Sequence, residues 1–277
     1  MPVFETDSCS LHYYEYGSGE QLLLAFHGFG MKGTQFKVLE EAFGRQFRII
    51  SFDLFFHGDT LLKDSSVGQV RKGLRAKNIS DLITQFLAEM FPDVEKFSIL
   101  SYSIGTRVAL SLIENIPSRI KSAYLIAPDG LEPNQLLNFG GRNFLVNRTF
   151  YKLVFSPKTI NFLLNLLLKT RYIDDSLHRI LKGEFGTTET RLTCYNTVTY
   201  FSQLSFYRKK IAKNINDYHL DAHFYFGKKD KLFSHRIGER FARLLNKPNM
   251  HVFDEGHELV NLKMNDYLKH QLRDYDL

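Results

Sequence analysis

Cysteine is scarce in this chain, with two in 277 residues, Cys9 and Cys194. They lie far apart and match no metal-ligand spacing. A disulfide-stapled scaffold and a cysteine metal site are both excluded, and a reducing, cytoplasmic setting is expected. Each cysteine reads as a small side chain for packing. Long apolar runs are absent too. No stretch of 18 apolar residues occurs, so no membrane-spanning helix is expected. The most apolar segment, NFLLNLLL from Asn161 to Leu168, has the length of a buried helix face. The N-terminal MPVFETDSCS has neither a basic start nor an apolar stretch, so no signal peptide is expected. No repeat or low-complexity tract breaks the chain. No recognition motif accompanies the positive charge, so nucleic acid is not an expected partner.

That charge, +6 overall, is unevenly placed. From Leu131 to Asp217 there are 13 Lys and Arg against 6 Asp and Glu, a local excess of +7 that leaves the remainder at −1. The densest cluster is RKKIAKN, Arg208 to Asn214. A basic helical surface of this kind is either a solvated face or a peripheral contact for anionic lipid headgroups.

What is present is an alternation of apolar strands and amphipathic helices. LHYYEYG (11–17) reads as a strand with GSGE as a hairpin turn after it. QLLLAFHG (21–28) is a buried strand entering a glycine-bearing loop. FKVLEEAFG predicts a helix closed by Gly44 in the C′ position. FRIISFD, KFSIL and AYLIAPD are further strands, with helices predicted over 71–90 and over TRVALSLIEN, where Val108, Leu112 and Ile113 share a face. Strands return at AHFYFG and HVFD, with helices over 237–245 and from Glu258 to about Gln271. Such β-α alternation predicts an α/β fold with a mostly parallel, doubly wound sheet. The stretch between AYLIAPD and AHFYFG is helical throughout. The expected organisation is therefore a core of residues 1–131 and 217–277, with a helical cap of residues 132–216 over the carboxyl edge of the sheet, where open α/β sheets bind ligands.

At that edge the chain places SYSIG, Ser101 to Gly105, between a strand and a helix. A serine at the tip of so sharp a turn is the context of a nucleophile elbow, here in the form S-x-S-x-G. The Ile104 amide then lies in the first turn of the helix, ready for an oxyanion. A serine hydroxyl needs a base. Among ten histidines, His257 in HVFDEGHEL follows the last strand and precedes the last helix, on the same edge as the elbow. His219, His223, His251 and His270 read as surface or packing residues. An acid must orient the imidazole. Asp230 in FGKKDKLF is the favoured candidate, and Asp129 at the end of AYLIAPD is its rival. AFHGFG adds a loop whose Phe29 amide would make the second half of an oxyanion hole.

With these residues the chain resembles the capped α/β-hydrolase fold superfamily of serine hydrolases over nearly its whole length. HGFG resembles the family's oxyanion loop, and FDLFFHGDT (52–60) its D-x-x-G-H-G-x-S segment, with Phe56 in place of a glycine and Thr60 in place of the serine. The resemblance implies a triad of Ser103, Asp230 and His257, an oxyanion hole of the Phe29 and Ile104 amides, and loop-bracing roles for His27, Asp53 and His57. It implies acyl transfer from a small carboxylic ester or thioester, with neither metal nor organic cofactor. HGFG with SYSIGTRVAL also resembles the elbow of the menaquinone-pathway lyases that act on a polyanionic substrate, the SHCHC synthases, G-Y-S-x-G-G-R. There Tyr102 and Arg107 would contact substrate, while Ser101 and Thr106 depart from two glycines. A third expectation is a non-catalytic binding protein on the same scaffold, usually marked by loss of a triad member.

Overall fold

The structure, a computed structural model, is described for residues 2–132, 141–173 and 175–273. Nine strands form one sheet: β1 (Val3–Glu5), β2 (Cys9–Tyr16), β3 (Gln21–Phe26), β4 (Phe47–Phe52), β5 (Leu61–Leu62), β6 (Phe97–Tyr102), β7 (Ile120–Ile126), β8 (Asp221–Gly227) and β9 (Asn249–Phe253). Their order is β1-β2-β4-β3-β6-β7-β8-β9, with β5 paired to β2. From β4 to β9 all pairing is parallel; β1, β2 and β5 are joined antiparallel. The expected mostly parallel sheet is present. GSGE, however, is no hairpin turn. β2 pairs with β4, so the chain crosses past a strand position before β3 begins. Gly19 shows how closely it passes, because a Cβ there would meet the Gln46 carbonyl carbon at 2.0 Å.

In β3, Leu22, Leu24 and Phe26 join one apolar cluster while Leu23 and Ala25 join the other, the period-2 split of a strand buried on both faces. The helices up to the fourth are α1 (Glu40–Phe43), α2 (Val67–Lys72), α3 (Ala76–Met90) and α4 (Thr106–Asn115). Those of the insertion are α5 (Phe144–Val154), α6 (Pro157–Lys169), α7 (Asp175–Glu184), α8 (Thr188–Phe201) and α9 (Arg208–Asp217). The core closes with α10 (His235–Ala242) and α11 (Leu262–Arg273). Residues of α3, α4 and α10 pack on one face; those of α1 and α11 pack on the other.

Four predicted elements differ. The helix expected over 36–44 is a 3-10 turn, Gly33–Leu39, followed by the single turn α1. Phe36 and Leu39, three apart, share its buried face, as 3-10 geometry requires. Gly44 is right-handed, with φ −71°, so it is no left-handed cap. Glycine is needed there because a Cβ would meet Glu40 O at 2.6 Å. The helix expected over 71–90 is split into α2 and α3 by Gly73, whose φ is +73°. The last helix starts at Leu262, where Asn261 Oδ1 accepts the Met264 amide and caps it.

The insertion also divides differently from the expected 132–216. Ile211, Ala212 and Ile215 of α9 lie in the same apolar cluster as α4, and Asn214 donates to the Ile113 carbonyl. Helix α9 thus packs on the core, and three of its four basic residues are paired: Arg208 with Glu132, Lys210 with Glu114, Lys213 with Asp217. Of helices α5 to α8, Val154, Tyr195, Tyr200 and Phe201 also join that apolar cluster. These helices meet the core along α8, where Leu74 N donates to Tyr200 O and a Cβ at Gly73 would strike Gln203 Cγ at 2.1 Å. Beside this contact Arg71 donates to Asn147 Oδ1 and to the Tyr195 hydroxyl.

Candidate active site

β3 and β6 lie side by side, yet the chain leaves β3 toward β4 on one side and reaches β6 on the other. Their carboxyl ends are therefore the switch point of the sheet, and the loops diverge there to leave room for a ligand. HGFG follows β3 and SYSIG follows β6. The two are pressed together. A Cβ at Gly105 would meet Phe26 O at 2.1 Å and His27 O at 2.5 Å, so only glycine lets the start of α4 approach the end of β3. A Cβ at Gly28 would strike the Tyr102 ring at 2.5 Å and lie 3.6 Å from Ser103 Cβ.

Ser103 occupies the tip of the turn with φ +51°. A left-handed non-glycine residue costs roughly 1–3 kcal/mol and persists only where its surroundings hold it. Here they do. Ser103 opens a 3-10 turn after β6, and its carbonyl accepts the Thr106 amide. The departures from glycine at 101 and 106 answer each other: both residues are fully buried, and their hydroxyl oxygens lie 3.2 Å apart in a hydrogen bond. One hydroxyl satisfies the other where two glycines would leave space.

Ser103 Oγ lies 3.0 Å from His257 Nε2, and His257 Nδ1 lies 2.7 Å from Asp230 Oδ2. A carboxylate only accepts, so the Nδ1 proton points to Asp230 and Nε2 is left to accept from the serine. The other oxygen of Asp230 accepts the amides of Leu232 and Phe233 at 2.8 and 3.0 Å. Burial raises the Asp230 pKa, but the hydrogen bond and charge of His257 and those two amides together hold it below the ordinary carboxylate range. The rival acid, Asp129, is not brought to the histidine.

Tyr102 is brought to His257 in a different way from that expected. Its hydroxyl donates to the His257 carbonyl at 3.0 Å and its ring lies 5.3 Å from the imidazole. Phe233 packs on the imidazole at 5.4 Å. Burial raises the Tyr102 pKa, so the phenol stays a donor. Arg107 is placed elsewhere. Only 3% exposed, it donates to Asp129 at 2.6 and 3.0 Å and to the Phe201 and Leu204 carbonyls at 3.1 Å. The guanidinium expected at a substrate is directed into the joint between α4 and the end of α8. Tyr102, at the end of β6, turns toward the histidine, while Arg107, in the first turn of α4, turns away from it.

The loop after β3 is locked by buried side chains. His27 Nδ1 donates to Gly28 O at 2.7 Å, and its Nε2 accepts the Leu54 amide at 2.9 Å. His57 accepts the Gly30 amide at 3.0 Å. Asp53 accepts the amides of Gly33 and Asp59 at 2.7 and 2.9 Å. Burial, and then the neighbouring His57, push the His27 pKa down to about 3; burial lowers that of His57 as well. Both are neutral braces at neutral pH. Phe56, in place of a glycine, takes φ +67° and packs its ring on Tyr200 of α8 at 5.4 Å. Thr60, in place of the serine, accepts the His12 amide at 2.9 Å. Phe29 sits between Gly28 and Gly30, whose amides are both bound, with its ring 5.5 Å from that of His57. One brace escaped the sequence: Gln35 Oε1 accepts the Gly28 amide at 3.0 Å, and no motif marks a glutamine seven residues downstream. Among the described residues no cluster of His, Cys, Asp and Glu is arranged to hold a metal, and no helix is long and apolar enough to cross a membrane.

Known proteins share this fold. No curated protein sequence matches the chain. An α/β hydrolase enzyme, MGS-M2, from a Medee basin deep-sea metagenome library superposes with a TM-score of 0.71 at 12% identity, over 100% of this chain and 98% of its own. A thermophilic esterase from Thermogutta terrifontis gives 0.71 at 14% identity, over 99% of each chain. A membrane phospholipase A described as a bacterial virulence factor gives 0.69 at 18%, over 99% of this chain and 85% of its own. The family model for the alpha/beta hydrolase fold matches residues 21–262. With that match across the elbow, the acid loop and the histidine loop, the chain belongs to the α/β-hydrolase fold family.

Proposed function

We propose that this protein is a serine hydrolase of carboxylic esters or thioesters that works through an acyl-enzyme. The unbroken hydrogen-bond chain Ser103–His257–Asp230 carries this assignment, with separations of 3.0 and 2.7 Å. His257 Nε2 takes the Ser103 proton as Oγ attacks the acyl carbon. Asp230 holds the imidazole in the tautomer that can accept, and stabilises the imidazolium as it forms. The amides of Phe29 and Ile104 receive the oxyanion. His257 then protonates the leaving alcohol or thiol, and water, deprotonated by the same nitrogen, releases the acid. The esterases and the phospholipase among proteins of similar fold favour an ester over other acyl groups. The anionic-substrate lyase is the weaker assignment, because the arginine it would use is already bound to Asp129.

Hydrolysis of p-nitrophenyl esters from acetate to laurate tests the proposal. Wild type is expected to turn over part of the series. Ser103→Ala is expected to lose roughly 10⁴-fold or more in kcat/KM while remaining folded. Equal rates in both proteins would remove Ser103 from the reaction.

A further inference from the structure

The insertion carries an outer surface that its own packing does not explain. Helix α6 buries Ile160 and Leu164 toward its neighbours, and an amphipathic helix should then be polar on the far side. It is not. Phe162, Leu163 and Leu166 face outward, Phe162 with 66% of its surface exposed. Phe155 just before the helix and Tyr172 just after it are also exposed. Exposed apolar side chains gathered in this way mark a surface that something covers.

Charge identifies the cover. Between Glu132 and Asp174 the sequence has no acidic residue and six basic ones: Arg142, Arg148, Lys152, Lys158, Lys169 and Arg171. Lys158, Phe162, Leu166 and Lys169 follow one another at helical spacing along the outward face of α6, so the ammonium groups border the apolar strip at both ends. Among the described residues no carboxylate pairs with Arg148, Lys152, Lys158, Lys169 or Arg171. The basic cluster at 208–214 differs, because three of its four cations pair with Glu132, Glu114 and Asp217. An apolar strip with lysines at its borders suits an interface where tails lie below and negative headgroups lie beside.

We propose that the outward face of α6, with Phe155 and Tyr172 at its ends, docks this protein on the surface of an anionic lipid bilayer. The aromatic and leucine side chains enter the headgroup boundary, and the lysines meet lipid phosphates. This docking is separate from the chemistry at Ser103, so it is read by binding and with the Ser103→Ala protein.

Co-sedimentation with sonicated vesicles of phosphatidylcholine, with and without phosphatidylglycerol, tests it. Binding is expected to the phosphatidylglycerol vesicles and to fall as salt is raised. Lys158→Gln with Lys169→Gln is expected to weaken partitioning roughly tenfold or more, at about 1 kcal/mol per lysine near such a surface. Phe162→Ser with Leu166→Ser is expected to abolish it. All four positions are exposed, and an unchanged far-UV spectrum shows that each variant is folded. Binding that ignores lipid charge, or that survives both pairs of substitutions, would overturn the proposal. So would absence of vesicle binding together with a concentration-dependent dimer that Phe162→Ser dissolves, which would make the strip a contact between two copies of this chain.

Discussion

The carboxyl edge of the sheet and the helical insertion treat polar groups in opposite ways. At the edge, side chains are buried and each bonds a backbone amide or carbonyl: His27 to Gly28 and Leu54, His57 to Gly30 and Phe55, Asp53 to Gly33 and Asp59, Asp230 to Leu232 and Phe233. Side-chain rotamers and loop backbone hold one another, so this edge is rigid before any ligand arrives. In α5 and α6 the charged side chains are all basic, and exposed apolar side chains share their surface. The first region keeps a geometry within itself. The second is shaped for something outside the molecule. The two meet where Tyr200 packs on Phe56 and where Arg107 joins Asp129 to the carbonyls of Phe201 and Leu204.

The largest effect should come from breaking the edge at its acid. Asp230→Asn keeps the shape but offers His257 a donor where it needs an acceptor. A fall in kcat of roughly 10⁴-fold is expected on the best p-nitrophenyl ester. A change below tenfold would show that Asp230 does not set the tautomer.

The joint is next. Arg107→Met leaves Asp129 buried without its cation, which costs about 3–5 kcal/mol. Urea unfolding should register that loss, and adding Asp129→Leu should restore part of it. If Arg107→Met costs less than about 1 kcal/mol, the joint does not hold the insertion.

A pH series sharpens the contrast further. The folded pKa of His27, about 3, lies well below the unfolded value near 6.5. Between those values the unfolded chain binds the extra proton, so His27 favours the fold above pH 6.5 and that contribution falls as pH drops. The expected slope from this group is about 1.4 kcal/mol per pH unit. Asp230, also lowered, adds loss of the same sign at more acid pH. His27→Gln can still accept from Leu54 and donate to Gly28 without titrating. Its stability should vary less between pH 6 and pH 4 than that of wild type. Parallel curves would remove His27 as the source of acid lability.

The smallest effect is expected inside the elbow. Ser101→Ala removes the partner of the Thr106 hydroxyl and should cost about 1 kcal/mol with little change in kcat. A large fall in kcat would mean that the Ser101–Thr106 pair positions Ser103 and does more than fill the place of two glycines.

Much of this was legible in the sequence because it is local. The strands β3, β4, β6, β7 and β8 are mostly buried and apolar, and the elbow and histidine loops lie within a few residues of strand ends. That rule of position singles out Ser103, His257 and Asp230, and the fold brings their side chains within 3.0 and 2.7 Å of one another. What failed depended on distant partners. Arg107 lies one helical turn beyond Ser103, and only the position of Asp129, 22 residues on, shows which way it points. Gln35 and Gly28 are joined by a loop whose path no spacing reveals. The GSGE turn was misread because β2 pairs with β4, from Tyr16 with Ile49 to Tyr13 with Phe52, a separation no local signal carries. Helix α9 reads with the cap because it lies in the unbroken helical stretch before β8, and its contact with α4 joins residues 101 apart in the chain.

The central claim is that Ser103 is an activated nucleophile. Intact-mass and peptide analysis after exposure to a fluorophosphonate tests it most directly, since it needs no knowledge of the natural substrate. The expected result is a single adduct on Ser103 in wild type, formed far more slowly in His257→Gln and absent in Ser103→Ala. A folded wild-type protein that stays unlabelled, or is labelled at another residue, would contradict it.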